Sequence, residues 1–176
     1  MDLQQVLTFT TDNWIALLAA AIAGLSALYS RWAVREAKQA NKIELHAHQK
    51  ELFIGFKHLS MHLASERLAL DKAEVEKFTL LSITAPLYVP PSLATAILEW
   101  HNACLQAAEL RVELTLQKKD LNDFYKLSNM SELPMQPDPL IESMSNNRES
   151  QNAALKRALK LSQIIEGELM VLIRLV

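Results

Sequence analysis

Between Trp14 and Tyr29 the chain reads WIALLAAAIAGLSALY, with no charge and with Ser26 as its one hydroxyl. Two environments suit such a run, the core of a large protein or the hydrocarbon of a bilayer, and runs this long normally span. With Ser30 included it is slightly shorter than the roughly 20 residues of an ideal span. Aromatic residues at its ends make up the difference. On a helix rising about 1.5 Å per residue, Trp14 stands about 23 to 27 Å from Tyr29 and Trp32, a separation that places them in the two interfacial belts of a membrane. Asp12 and Asn13 are positioned to cap the run. A cleaved signal peptide would carry basic residues ahead of the apolar stretch, and here every basic residue follows it. A transmembrane helix over residues 14–30 is the expectation.

Charge asymmetry sets the orientation. Arg31, Arg35, Lys38 and Lys42 come directly after the run, whereas only Asp2 and Asp12 precede it. Basic flanks stay inside, so the N-terminus is expected outside and the rest of the chain in the cytoplasm. On a continuing helix the four cations form one stripe, of which Arg31 and Arg35 lie nearest the lipid headgroups. Lys42 would stand about 16 Å further on than Arg31, past a Debye length. Within the run, Ala16, Ala20 and Gly24 recur every fourth residue, with Ala19, Ala23 and Ala27 as an adjacent row. Small residues at this spacing let two helices approach closely, so lateral self-association is expected. No ionisable residue interrupts the run, which argues against a pore or proton relay.

The remaining composition points to helix. A chain of 176 residues with three glycines and six prolines has few turn formers, and its 22% of charged residues balance at a formal charge of -2. That balance offers no basic face for duplex nucleic acid. The single cysteine, Cys104, cannot form an internal disulfide and fits a reducing compartment.

After the run an apolar seam passes through Val34, Ala37, Asn41, Leu45, His48, Leu52, Phe56, Leu59 and Leu63, advancing three or four residues per step. From residue 54 a second row, Ile54, Met61 and Leu68, lies opposite, so this later part is expected to be covered on two faces. A short helix is expected over Lys72 to Ser82. The prolines of APLYVPPS then force a corner, with Ser92 as cap of the next helix. That helix carries Leu93, Ile97, Trp100, Cys104, Ala107, Leu114, Leu121 and Phe124 on one stripe up to about Leu127. SNMSELPMQPDP reads as a linker. A last helix from near Pro139 presents Leu155, Leu159, Ser162, Ile165, Leu169, Leu172 and Val176, and its apolar end, GELMVLIRLV, calls for burial in a bundle or an oligomer. The organisation expected is a short tail at 1–13, a span at 14–30, a helical stalk at 31–51 and a cytoplasmic bundle at 52–176. The fold class is all-α: an N-terminal transmembrane helix continuing into an antiparallel three-helix bundle with a short extra helix.

Chemistry is sparse. His58, His62 and Glu66 stand one turn apart and could present two imidazoles and a carboxylate to a metal, yet no further ligand set accompanies them, and exposed bundle histidines are the simpler reading. His46 and His48 point to different faces. His101 and Cys104 are three apart, but a cysteine on an apolar seam serves as a small hydrophobe, and no orienting acid or phosphate loop is present. No cofactor or catalytic residue is expected.

The stretch SALYSRWAVREAKQANKIELHAHQKELFIGF, which overlaps the end of the span and continues from it, resembles a recurrent pattern in uncharacterised small bacterial single-pass membrane proteins. APLYVPPSLATAILEW, a proline corner before a long helix, is similar to theirs as well. Together the two cover about a quarter of the chain. The resemblance implies the topology and a bacterial inner membrane, and no activity. The leading expectation is a non-enzymatic, membrane-anchored helical module whose partners are membrane lipid and either a second copy or a cytosolic protein. Its alternative is a membrane-perturbing effector, of toxin or defence type, acting through oligomerisation of the span.

Overall fold

In a computed structural model the described residues are 3–66, 69–128 and 138–174, and no strand occurs among them. The chain is all-α. Its helices are α1 (Leu3–Glu66), α2 (Lys72–Lys77), α3 (Thr79–Thr84), α4 (Pro91–Ser128) and α5 (Asp138–Arg174), with a 3₁₀ turn at Ala85–Leu87. By packing, the chain divides into two units, 1–45 and 46–176.

The first unit is the leading part of α1, and every residue from Trp14 to Leu45 is exposed. Asp12 and Asn13 do not cap this helix, because it already begins at Leu3. No proline or glycine occurs between Leu3 and Asn13 to stop it, and each further turn of an existing helix adds a hydrogen bond at little cost. The seam residues Val34, Ala37, Asn41 and Leu45 are all exposed.

The second unit starts at His46, earlier than the residue 52 that the seam alone indicates. Gln49 is already buried there, its amide donating to the Tyr88 carbonyl at 2.8 Å, and the His48 ring stacks on Tyr88. Leu52, Phe56, Leu59 and Leu63 follow as the buried stripe of α1. Asp71 then caps α2 by accepting from the Ala73 amide at 3.1 Å, and α2, α3 and the 3₁₀ turn run back along α1. Their antiparallel register is read from pairs: His62 beside Asp71, His58 beside Glu74, Gly55 beneath Phe78 and Leu81, and His48 on Tyr88. Gly55 permits this approach, since a Cβ there would lie 2.5 Å from Leu81 Cδ1.

Helix α4 departs from the expected course. Phe56 meets Trp100 and the Ala69 carbonyl meets Arg111, so α4 runs parallel to the last part of α1. Helix α5 comes back antiparallel to α4, as Arg157 on Glu99, Gln151 on Ala107 and Asn147 on Gln117 establish. It also reaches α1 through the Lys57–Glu166 ion pair. The second unit is thus an up-down-up-down arrangement rather than the antiparallel three-helix bundle expected with α4 as the returning helix. The supposed extra helix, split into α2 and α3, is itself the return leg, because the chain turns once at Leu70–Asp71 and again at Val89–Pro90.

Three smaller expectations are also corrected. Ser92 does not cap α4, which begins at Pro91, where a missing N–H costs nothing and the fixed φ suits a first turn. Ile54 and Met61, 58% and 69% exposed, form an uncovered row, because α1's neighbours lie on its opposite side and flanks, at Phe56, Gly55 and Lys57. The centre of the linker, 129–137, lies outside the described residues, as do Leu68 and Val176.

Candidate functional site

The apolar run in the first unit is uncovered along its whole length. Trp14 is 68% exposed and Trp32 60%, and the leucines and isoleucines between them are open to the same degree. Among the described residues, α1 is the one helix long and apolar enough to cross a membrane. Ser30 donates its hydroxyl to the Ser26 carbonyl at 2.8 Å, which satisfies that donor within the helix, and the Tyr29 ring leans on Trp32. Ala16, Ala20 and Gly24 are exposed along one row, and a Cβ built on Gly24 would meet nothing within 4 Å. Arg31, Arg35 and Lys38 line one shallow exposed surface with Val34 and Ser30.

The histidines of the second unit are placed in ones and twos. His58 is exposed and faces Glu74, with Nδ1 4.0 Å from Oε2, whereas His62 accepts the Asp71 amide on Nε2 at 3.5 Å. A hydrogen bond from Lys77 holds the Glu74 carboxyl below its ordinary value, against the opposing effect of burial. The Glu66 side chain lies outside the described residues. Among the described residues no three of His, Cys, Asp and Glu converge as a metal cluster would require.

His101 occupies the polar centre of the bundle, 4% exposed and reached from α2 and α3. Its Nδ1 lies 3.3 Å from Ser82 Oγ, and its Nε2 lies 3.4 Å from Thr79 Oγ1 and 3.3 Å from the Val75 carbonyl. Ser82 Oγ spends its proton on the Thr79 carbonyl at 2.8 Å. One neutral tautomer satisfies the side chains together: Nδ1–H donates to Ser82, Ser82 donates to Thr79 O, and the Thr79 hydroxyl donates to Nε2. Burial pushes the His101 value below ordinary, partly offset by the Val75 carbonyl, which favours a second ring proton. Cys104 takes no part in this network. It is wholly buried, and burial pushes its thiol up to about 12, so no thiolate forms near neutral pH.

Beyond Arg111, α4 continues for about 25 Å, bordered first by the turn at Leu70, Asp71 and Lys72, which shares a shallow pocket with Val112, Thr115 and Leu116, and along another face by α5. Gln117, Ser143 and Asn147 bridge these two helices by side-chain hydrogen bonds of 3.0 and 3.3 Å. On this stretch a groove of about 410 Å³ is lined by Arg111, Lys118 and Arg148 with Leu114, Ile141 and Met144. This cationic groove was not foreseen from the sequence. Arg111 and Lys118 are seven residues apart and therefore share a face of α4, which is a local signal, but the third cation comes from a different helix.

No family model, curated protein or solved structure matches the chain. What it does must therefore be read from its own surfaces.

Proposed function

We propose that the chain is a non-enzymatic, membrane-anchored helical interaction module. Residues 14–30 form its single span, the N-terminus lies outside, and the helical domain stands in the cytoplasm of a bacterial inner membrane. One observation carries this reading: an uncharged run of membrane-spanning character whose residues are all exposed. In water such a helix would present a continuous apolar surface far larger than the few hundred Å² that soluble monomers tolerate. Lipid removes that cost. Trp14, Tyr29 and Trp32 then anchor the two interfaces, and Arg31 and Arg35 meet the anionic headgroups. The row Ala16, Ala20 and Gly24 is the face through which two spans associate, because its small side chains let backbones approach.

The test is fractionation of cells producing the full chain with a C-terminal fluorescent tag. The expected result is a product that stays with bilayers after an alkaline wash, needs detergent to disperse, keeps Met1 to Tyr29 by intact mass, and fluoresces as a cytoplasmic tag does. A product that disperses without detergent, or that has lost residues 1–29, overturns the reading. Self-association is tested by Ala20→Ile with Gly24→Ile: the larger species in detergent should dissociate to monomer, and an unchanged oligomer size removes that part of the proposal.

A further inference from the structure

We propose that the groove between the outer parts of α4 and α5 is a binding site for a small phosphate ester with an apolar body, of the size of a nucleotide. Arg111, Lys118 and Arg148 line it, and no Asp or Glu does. Three like charges gathered in one concavity repel one another, and an anion seated among them relieves that repulsion while gaining from the field they sum. The cations are also differently prepared. Arg111 is half-buried and hydrogen-bonded to the Ala69 carbonyl, which holds its guanidinium in place while leaving further N–H groups of the fork to donate. Lys118 and Arg148 are exposed, and neither has an ion pair or hydrogen bond among the described residues, so both are free to close on a ligand.

The remaining lining defines the ligand further. Ser145 has no hydrogen bond among the described residues and can donate its hydroxyl to a phosphoryl oxygen. Thr115 cannot, because its hydroxyl is committed to the Arg111 carbonyl at 2.9 Å. Leu114, Ile141 and Met144 supply an apolar wall, and the unbranched Met144 can adapt to a ring or a short chain. A cavity of about 410 Å³ lies in the range of small-molecule sites and would leave much of a simple inorganic anion uncontacted. Phosphate is favoured over carboxylate because its greater charge and three oxygens can engage two guanidinium groups and an ammonium together. The phosphoryl group could belong to a soluble nucleotide or to a phospholipid headgroup, and the experiment separates these sources.

The full chain in dodecyl maltoside micelles is titrated with adenosine diphosphate by calorimetry. In a second arm, the chain in nanodiscs of phosphatidylcholine, with or without about one fifth phosphatidylglycerol, is acetylated at its lysines and mapped by mass spectrometry. Saturable binding of adenosine diphosphate, weakened at least about fivefold by Lys118→Gln and by Arg148→Gln but unchanged by Lys156→Gln elsewhere on α5, supports the site with a soluble ligand. Absence of nucleotide binding, with Lys118 protected only in the phosphatidylglycerol discs and that protection lost in Arg148→Gln, supports it with a headgroup. Neither binding nor protection overturns the proposal, as does binding or protection that the groove substitutions leave unchanged. Circular dichroism of each exposed-residue variant confirms that the helices are intact.

Discussion

His101 makes the bundle sensitive to acid, and His101→Asn isolates the effect. In the folded chain burial holds the imidazole below its ordinary value of 6.5, and its side-chain partners Thr79 and Ser82 are uncharged. The unfolded chain therefore takes up the proton first as pH falls. The stability owed to the neutral ring is complete above about 6.5 and is lost as pH descends through the folded value, at a rate approaching about 1.4 kcal/mol per pH unit for one proton. At roughly 4 °C per kcal/mol for a domain of this size, the midpoint of thermal unfolding should fall by up to roughly 5 °C for each unit below that point. Asparagine can keep a donor toward Ser82 but loses the Nε2 acceptor for Thr79 and the ring packed against Phe78, at a cost of about 1–3 kcal/mol at any pH. The assay is thermal unfolding of the full chain in micelles, followed by near-ultraviolet circular dichroism between pH 7.5 and 5. The wild-type midpoint should fall with pH more steeply than that of His101→Asn. Parallel slopes in the two proteins would refute the assignment of a neutral, buried ring.

Three further outcomes follow from packing. Cys104, buried and with its thiol raised to about 12, should resist an aromatic disulfide reagent at pH 8 until denaturant is added, and rapid labelling of the native chain would contradict the buried placement. Gly55→Leu should destabilise the bundle by about 1–3 kcal/mol, because even a Cβ there meets Leu81 and Phe78, whereas Gly167→Ala, with nothing within 4 Å, should stabilise it by up to about 1 kcal/mol. Equal melting shifts for the two would argue against the close approach of α1 and α3. Phe56→Ala should cost about 3–5 kcal/mol, since the ring is fully buried against Trp100, and a loss under about 1 kcal/mol would mean that α1 and α4 do not meet there.

The stripes of the long helices were legible because helical periodicity is local. Leu52, Phe56, Leu59 and Leu63 on α1 are buried as the three-to-four spacing indicates, and so are Leu93, Ile97, Trp100 and Cys104 on α4. The further stripe residues Leu114, Leu121 and Phe124 are only half-buried, since among the described residues α5 is the long helix that packs along this part of α4. Ala94, Ala103 and Ala108 are buried too, and alanine carries little signal of its own because it suits an exposed helix as well as a crowded interface. The partners of Gln49 and His101 were hidden for a different reason. A buried polar side chain is explained by the carbonyl or hydroxyl it meets, and Tyr88, Thr79 and Ser82 lie 19 to 39 positions away.

From residue order alone came the helical class, the uncharged run and the proline corner, each a property of neighbouring residues and of the solvent a segment can tolerate. Tertiary structure alone decided that α4 runs parallel to α1, that α2 and α3 occupy the slot between reversals, and that Arg148 joins Arg111 and Lys118 in one groove. An apolar stripe buries nearly the same area against a parallel or an antiparallel neighbour. Which neighbour it takes is settled by contacts such as Gly55 on Leu81 and Phe56 on Trp100, between residues that local patterning does not link.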